Sequence, residues 1–498
     1  MKSIPILVLG LFVGACGAQP VGEQGAETTE AAPQMRVVPV TSQAPTAVAA
    51  FEHGRFLNEN IRPAEAAKQF EKALELDPGF PQARAALGQV TPGNEGLEML
   101  RQAAISASEL PETERLWIEA LWAQRAGEEE KWRGLLRKVA ELAPDDWRPQ
   151  IALGTMEFVD QNWEAALVPL KRATELNPKA GNGWNLLGYT HASMEDWDPA
   201  IAALEKYVEV EPDEPNPRDS LGEVRMMAGR LEEAEEAFVA ATQVDAGFWQ
   251  AWVGVAQSRF LRGDWDGGRQ ALEKASAAAP RPQDKLAVAD QLWWSLVAEG
   301  DGAKATEVLD QHDVDAREAG LDQHYVFSST QRAFAHIVAG EYEEALAQTE
   351  EALERGKSTG LEGAALLALR RNVEQSAQLA EAKLGRLEAA EARIAFLEAE
   401  SEKAPAMVTA VHVAKGVLAM AKGENAAAVE TLSKCDPRAA LCAWQLAEAQ
   451  EQAGEAEAAA ATSERLRSLR LRGGFYLTLW AKAGGAEVQA EPHAVVEE

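Results

Sequence analysis

The stretch Gly183-Trp184-Asn185-Leu186-Leu187-Gly188-Tyr189 decides the fold, because its bulky and small residues return along the chain at a fixed interval. Gly188 lies midway between two counterparts, Gly154 and Gly222, and three further positions recur at the same interval. The four sets are Gly154, Gly188, Gly222 and Ala256; Ala166, Ala200, Ala234 and Gly268; Leu170, Leu204, Phe238 and Leu272; and Pro144, Pro178, Pro212 and Pro280, with Ala246 where a proline would fall. The chain therefore contains an internal repeat.

The residue types in the repeat indicate pairs of antiparallel helices. Small residues let two helices approach closely, and the large residues fill the space beside them. Proline marks the stop between pairs because it cannot continue a helix. One pair cannot bury its apolar face alone, so successive pairs must stack. The clear repeats are residues 147–180, 181–214, 215–248 and 249–282.

This pattern resembles the tetratricopeptide repeat family, in which one repeat has about 34 residues. In its terms, Trp184, Leu187 and Gly188 belong to the first helix of a repeat. Tyr207 departs from the pattern, since the family prefers alanine at that position. The resemblance implies an all-α fold, a right-handed α-solenoid of helix-turn-helix repeats. It also implies a scaffold that binds other proteins.

Weaker copies extend the repeat in both directions, to about ten to twelve helical pairs in all. The predicted organisation is an N-terminal tetratricopeptide array over 46–282, a degenerate array over 283–484 and an acidic tail over 485–498. A soft boundary is expected near 281–325, where Pro280-Arg281-Pro282 and a polar loop over 310–320 interrupt the repeat.

Length and composition exclude several classes of function. The chain has 498 residues, more than one compact core usually organises, which suits several domains or a repeat array. Its formal net charge of -31 repels nucleic acid phosphates, so nucleic acid is not an expected partner. Apolar residues make up 46% of the chain and charged residues 26%, the balance of a folded protein.

The first residues predict export and lipid attachment. Lys2 precedes an apolar run that is too short to span a bilayer but suits a signal peptide over 1–15. Val13-Gly14-Ala15-Cys16 resembles a bacterial lipobox, which implies that Cys16 is the mature N-terminus and carries the lipid. An ordinary signal peptide and a chance apolar start are the alternatives.

The residues after Cys16 suggest a tether and a location. Residues 16–45 are rich in Ala, Glu, Gln, Thr and Pro, and a flexible linker is expected there. Gly17 stands where an aspartate would retain a lipoprotein in the inner membrane. The cell envelope, at the periplasmic face of the outer membrane, is therefore the expected place, and the inner membrane remains the alternative.

The sequence contains no recognised catalytic or metal-binding motif. There is no Gly-x-Ser-x-Gly elbow, and no two of the seven histidines have the zinc-protease spacing. His191 and His336 share one repeat position and are assigned to packing. The segment His312-Asp313-Val314-Asp315 has the residue types of a metal site, but it is interpreted as a polar loop, which is common in so acidic a chain. The sequence therefore predicts no enzyme, no cofactor and no metal.

The fourteen tryptophans leave another function open. Three of them recur at one repeat position and are expected to pack within the fold: Trp163, Trp197 and Trp265. Three others lie outside the clear repeats and could stack on a sugar ring: Trp122, Trp293 and Trp294. A periplasmic glycan- or small-ligand-binding module is therefore the alternative function.

Cys435 and Cys442 flank Asp436-Pro437, a turn between two predicted helices. A separation of seven residues around such a turn can bring two sulfur atoms together in an oxidising compartment. A disulfide and a pair of buried reduced thiols are the two interpretations.

The family resemblance also implies where a partner binds, because the first helix of each pair lines the concave face. A lysine-rich carboxylate clamp is absent, since Ile151 and Thr155 stand where it needs lysine and asparagine. Amides together with Met and Phe suit a peptide segment, although a solvated groove with no partner is the alternative. The candidate groove residues are Arg148, Thr155, Phe158, Asn182, Asn185, Tyr189, Asn216, Asp219, Glu223, Met226, Met227, Gln250, Gln257 and Phe260. The resemblance thus implies a membrane-tethered scaffold or adaptor lipoprotein whose partner is a protein or peptide segment.

Overall fold

The structure, a computed structural model, describes residues 36–60, 62–403, 407–436, 438–471 and 473–485. Across these residues the chain is helical and contains no β-strand, so the predicted all-α fold is confirmed. No helix in this part of the chain is both long enough and apolar enough to cross a membrane. The predicted signal peptide, Cys16 and nearly all of the predicted acidic tail lie outside the described residues.

The described residues form two compact units, an N-terminal unit over 36–224 and a C-terminal unit over 225–485. The division falls within one helix, upstream of the boundary expected near 281–325. The helices that begin in the N-terminal unit are α1 (Pro45–Glu59), α2 (Pro63–Leu76), α3 (Pro81–Val90), α4 (Gly93–Ser106), α5 (Glu112–Arg125), α6 (Glu129–Leu142), α7 (Trp147–Val159), α8 (Trp163–Leu176), α9 (Gly181–Ser193), α10 (Trp197–Val210) and α11 (Asn216–Met227).

The helices of the N-terminal unit pair as the repeat predicts. From α1 to α10, each odd-numbered helix packs on the even-numbered helix that follows it. Odd-numbered neighbours such as α3 and α5, or α7 and α9, also touch. We call α1, α3, α5, α7, α9 and α11 the odd-helix layer of this unit. It corresponds to the first helices of the repeats.

The small residues of the repeat lie where paired helices approach most closely. A β-carbon added to Gly154 would lie 2.5 Å from Leu170, far inside the distance that carbon atoms adopt. Leu170 and Ala166, two further members of the repeating sets, are completely buried. The alternation of small and large residues therefore sets the distance between the helices of a pair.

The turn inside each clear repeat contains a residue in the left-handed backbone region. These residues are Gln161 (φ 65°), Glu195 (φ 60°), Gly229 (φ 81°) and Gly263 (φ 79°), and they recur at the same interval as the other repeating positions. Only glycine adopts this conformation without strain. This repeating position is hidden in the sequence because two repeats fill it with Gln and Glu.

The C-terminal unit continues the helical pairs. The expectation of a polar loop over 310–320 is wrong, because this segment is helical as far as Glu318, and helical pairs continue through the boundary expected near 281–325. The helices are α12 (Leu231–Val244), α13 (Trp249–Phe260), α14 (Trp265–Ala278), α15 (Pro282–Glu299), α16 (Gly302–Glu318), α17 (Asp322–Ala339), α18 (Tyr342–Ser358), α19 (Gly363–Lys383), α20 (Leu387–Lys403), α21 (Val408–Ala421), α22 (Asn425–Leu432), α23 (Ala440–Gln452), α24 (Ala456–Ser468) and α25 (Gly474–Lys482).

The last described helix packs back on a helix far earlier in its own unit. α25 packs on α15 and also touches α23 and α24. A β-carbon at Gly474 would lie 2.2 Å from the β-carbon of Trp294, so the two helices are in close contact. Tyr476 and Trp480 join the apolar core that also contains Val288. α25 therefore covers odd-numbered helices of the C-terminal unit with the chain's own residues.

Candidate functional site

Residues 38–41 are held by the odd-helix layer of the N-terminal unit, although they belong to the predicted flexible linker. The Val38 N–H donates to Asp146 Oδ2 at 2.9 Å, and the Val38 carbonyl accepts from Arg148. Val38 is 2% exposed and packs in the apolar core. The prediction of a flexible linker is therefore wrong for this segment, because side chains distant in sequence satisfy its backbone.

Two further odd-numbered helices hold the same segment. Glu114 Oε1 on α5 accepts from the Thr41 N–H at 2.9 Å, and Gln82 Nε2 on α3 donates to the Pro39 carbonyl at 2.6 Å. Gln82 also donates to Glu114 at 2.7 Å, so the two buried side chains support each other. This layer thus binds a non-helical segment by hydrogen bonds to its backbone.

The next part of the layer, α9, carries amides whose hydrogen bonding is incomplete. Asn182 is half-buried, and neither its side-chain nitrogen nor its side-chain oxygen has a partner. Asn185, one turn later, has a buried Oδ1 that also lacks a partner. Buried polar atoms in folded proteins are nearly always paired with protein or water. α9 therefore carries buried donors and acceptors with unused hydrogen-bonding capacity.

The predicted groove residues that follow connect α9 with α11. The Tyr189 hydroxyl donates to Glu223 Oε2 at 2.8 Å, and burial raises the pKa of Tyr189 well above its usual value. Asn216 Nδ2 donates to the hydroxyl of Tyr207 at 3.0 Å. Asn216, Glu223 and Asp219 are each at most 3% exposed. These residues form a buried polar region rather than an open groove surface.

The three predicted groove residues on α7 make their contacts inside the N-terminal unit. Arg148 is engaged by Val38 and by Asp146. The buried Thr155 hydroxyl donates to the carbonyl of Ile151 at 2.8 Å. Phe158 is 6% exposed and packs edge-on against Trp163, with ring centroids 5.0 Å apart. The assignment of these three to an open groove is therefore corrected, since their polar atoms or rings are used internally.

The remaining candidates belong to the C-terminal unit. Met226 and Phe260 lie in its apolar core, at 0% and 1% exposure, and are not surface groove residues. Gln257 is buried, and its Nε2 donates to Gln291 Oε1 at 3.0 Å. Met227 and Gln250 are half-buried. The α9 amides are therefore the best-placed part of the predicted groove.

Buried acids gather at the turn after α10 and the end of α1, both in the N-terminal unit. Burial raises the pKa of Glu211 to about 7. Burial also raises the pKa of Glu59 well above its usual value, and the negative charge of Glu211 adds to this rise. A β-carbon on Gly181 would lie 2.0 Å from Glu211 Oε1, so the carboxyl is tightly enclosed. No sequence signal marks these acids, because their burial depends on contacts between distant helices.

Two of the three tryptophans outside the clear repeats are core residues. Trp293 and Trp294 are 2% and 8% exposed, and their ring centroids lie 4.3 Å apart. Trp294 also packs at right angles to Phe475 of α25. The prediction that they stack on a sugar ring is therefore wrong, because both side chains are buried. Trp122 is half-buried, and Lys131 Nζ lies 4.2 Å from its ring centroid.

The histidines at equivalent repeat positions make equivalent contacts. His191 Nδ1 lies 3.0 Å from Asp196 Oδ2, and His336 Nδ1 lies 2.7 Å from Glu341 Oε2. Each acid stands five residues after its histidine, in the turn between the paired helices. These pairs stabilise turns, in keeping with an assignment to packing.

Cys435 and Cys442 are joined by a disulfide, with their α-carbons 6.5 Å apart. Cys435 follows α22, and Cys442 lies in the first turn of α23. The bond therefore ties the start of one pair to the end of the preceding pair.

Comparison with known proteins supports the repeat assignment. Residues 182–214 and 220–282 match two family models, each described as a tetratricopeptide repeat. The chain is similar to the crystal structure of MamA, with 19% identity over 32% of this chain and 93% of that chain and a TM-score of 0.30. It is also similar to the crystal structure of YrrB, a TPR protein with an unusual peptide-binding site, with 18% identity over 44% of this chain and 97% of that chain and a TM-score of 0.27. No curated protein matches the chain. The chain thus carries tetratricopeptide repeats at residues 182–214 and 220–282, within an all-α array of stacked helical pairs.

Proposed function

We propose that this protein is an adaptor that binds an extended segment of a partner protein along the odd-helix layer of its N-terminal unit. The observation that carries the proposal is the way this layer already holds residues 38–41. Side chains of α3, α5 and the start of α7 bond to the backbone of that segment. A layer that binds one non-helical segment in this way has the chemistry to bind a second one.

The amides on α9 are the proposed site for the partner. A carboxamide can both donate and accept, which matches the alternating N–H and C=O groups of an extended backbone. Asn182 has both functions unused, and Asn185 has an unused acceptor. The net charge of -31 favours a partner segment with basic residues, because long-range attraction speeds association.

The proposal includes a membrane tether in the bacterial cell envelope. It rests on the lipobox-like Val13-Gly14-Ala15-Cys16 and on the apolar run before it. Lipid on Cys16 would hold the helical array at a membrane surface without a spanning helix. Gly17 favours the outer membrane.

Proximity labelling from the intact lipoprotein would identify partners, and substitutions on α9 would test the site. The test variant is Asn182→Ala with Asn185→Ala. The control is Asn162→Ala, an exposed amide in the turn before α8 whose side chain donates only to Glu157, at 2.9 Å. We expect the double variant to bind an identified partner at least 10-fold more weakly, at unchanged helicity, and the control to bind as wild type does. Equal binding by the double variant would show that the partner binds elsewhere.

A further inference from the structure

Three potential metal ligands from three consecutive helices converge in the C-terminal unit. They are Asp290 on α15, His312 on α16 and His324 on α17. One ligand atom of each, a carboxylate oxygen or a ring nitrogen, lies within 4.8 Å of the other two. The three residues stand far apart in the sequence, so they form no local motif.

His312 is buried without a hydrogen-bond partner. The residue is 2% exposed, and neither of its ring nitrogens is paired. Nε2 lies 3.4 Å from Asp290 Oδ1, a buried oxygen that also lacks a hydrogen bond. Nδ1 lies 3.9 Å from Asp313 Oδ1, beyond hydrogen-bond distance. An unpaired buried imidazole is costly, so a partner from outside the chain would stabilise this arrangement.

The spacing of these atoms suits a tetrahedral metal ion. Zinc ligands lie about 2.0–2.2 Å from the ion, so two of them at a tetrahedral angle are about 3.4 Å apart. The distance from His312 Nε2 to Asp290 Oδ1 has this value. His324 is half-buried in the first turn of α17, and one of its ring nitrogens lies within 4.8 Å of the ligand atoms of Asp290 and His312. Imidazole together with carboxylate favours a transition metal over Mg²⁺ or Ca²⁺.

A fixed carboxylate stands behind His312, as metal-bound histidines commonly require. Asp313 accepts from Arg332 Nη2 at 3.0 Å and from Arg355 Nη1 at 2.8 Å, and the Ser328 hydroxyl also donates to it. With Nε2 on a metal, Nδ1–H would face this carboxylate. Such a contact sets the ring orientation and raises the basicity of the ligand nitrogen.

From this geometry we propose that Asp290, His312 and His324 bind one Zn²⁺ ion, which joins α15, α16 and α17. Three protein ligands leave a fourth coordination position for water or for a donor from a partner. The proposal departs from the sequence prediction of no metal, because the ligands meet only after the helices stack. It does not depend on the proposed adaptor function.

The test is zinc binding by the intact chain, with Cys16→Ser in every sample so that no free thiol outside the disulfide competes. Metal-free protein is titrated with ZnCl₂ in competition with a chromophoric chelator. We expect one Zn²⁺ per wild-type chain and about 100-fold weaker binding by His312→Gln and by His324→Gln. The control His336→Gln changes a histidine in the last turn of α17 and should bind as wild type does.

Cobalt absorption provides a second readout, and circular dichroism distinguishes loss of the metal site from loss of the fold. Co²⁺ in a tetrahedral nitrogen and oxygen site absorbs visible light, and this absorption should disappear in His324→Gln while circular dichroism stays unchanged. His324 is only half-buried, so this variant should fold even if His312→Gln does not. Absence of stoichiometric zinc binding in the wild type, or wild-type affinity in His324→Gln, would overturn the assignment.

Discussion

Gly188 packs so closely on Leu204 that a β-carbon at position 188 would lie 2.6 Å from the leucine Cγ. Leu204 is fully buried and cannot move aside without opening the core of the N-terminal unit. We expect Gly188→Ala to lower the free energy of unfolding by about 1–3 kcal/mol, through overpacking. Urea denaturation would measure this.

Gly134 is the matched control for Gly188, because it lies exposed on α6 with no atom near its hypothetical β-carbon. Gly134→Ala should raise the stability by about 0.5–1 kcal/mol, since alanine favours the helix. Similar effects from both substitutions would mean that the close contact of Gly188 does not limit helix packing.

Gln161 occupies a turn position at which two other clear repeats have glycine. Its φ of 65° is a strained conformation for a residue with a β-carbon. Gln161→Gly should therefore raise the thermal midpoint, with a gain of about 0.5–1 kcal/mol after the extra flexibility of the unfolded chain is counted. Gly263→Ala, at the equivalent position with φ of 79°, should lower it. A destabilised Gln161→Gly would argue that the side chain matters more than the backbone strain.

Glu211 should make stability fall between mildly acidic and neutral pH. Burial raises its pKa from 4.5 to about 7, so the folded protein keeps the proton to higher pH than the unfolded chain does. Its stabilising contribution is fully present below about pH 4.5 and is lost as pH rises through about 7. The loss amounts to about 3 kcal/mol at most.

Glu211→Gln should remove this loss, so the variant should be more stable than wild type at pH 8 and nearly equal to it at pH 4.5. Denaturant unfolding at both pH values would check it. The control Glu209→Gln changes an exposed residue of α10 and should leave the pH dependence as in wild type. A Glu211→Gln variant that loses stability equally at both pH values would indicate a hydrogen-bonding role instead.

The disulfide between Cys435 and Cys442 should stabilise the end of the C-terminal unit. Closing so short a loop is worth about 2 kcal/mol in the chain-entropy description. Cys435→Ser with Cys442→Ser should therefore lower the thermal midpoint, and a reductant should lower that of the wild type by a similar amount. Alkylation of both thiols in unfolded, unreduced wild-type protein would show that the bond does not form.

Cys16 should carry lipid in the cell. Mass spectrometry of the membrane fraction should find an acylated N-terminal cysteine, and Cys16→Ser should shift the protein to the soluble fraction. Lipid attachment needs the thiol, whereas cleavage of an ordinary signal peptide does not. Recovery of the wild type as a soluble, unacylated species would contradict the prediction.

The constant interval of the repeat was sufficient to predict the helical pairs between positions 147 and 282, because each position of the repeat has the same packing role. The prediction weakened after position 282, because the helices from α15 to α20 are longer than those from α7 to α14. Longer helices preserve the pairing but remove the constant interval.

The sequence alone determined the helical pairs, since residues three or four apart share a helix face and small residues mark where helices touch. Only the tertiary structure decided which polar groups are buried and which other groups they contact. Val38 and Asp146 are distant in sequence yet hydrogen-bonded, and the ligands of the proposed zinc site come from three helices. Such encounters depend on how the helices pack on one another, because packing brings together side chains that no local sequence pattern places side by side.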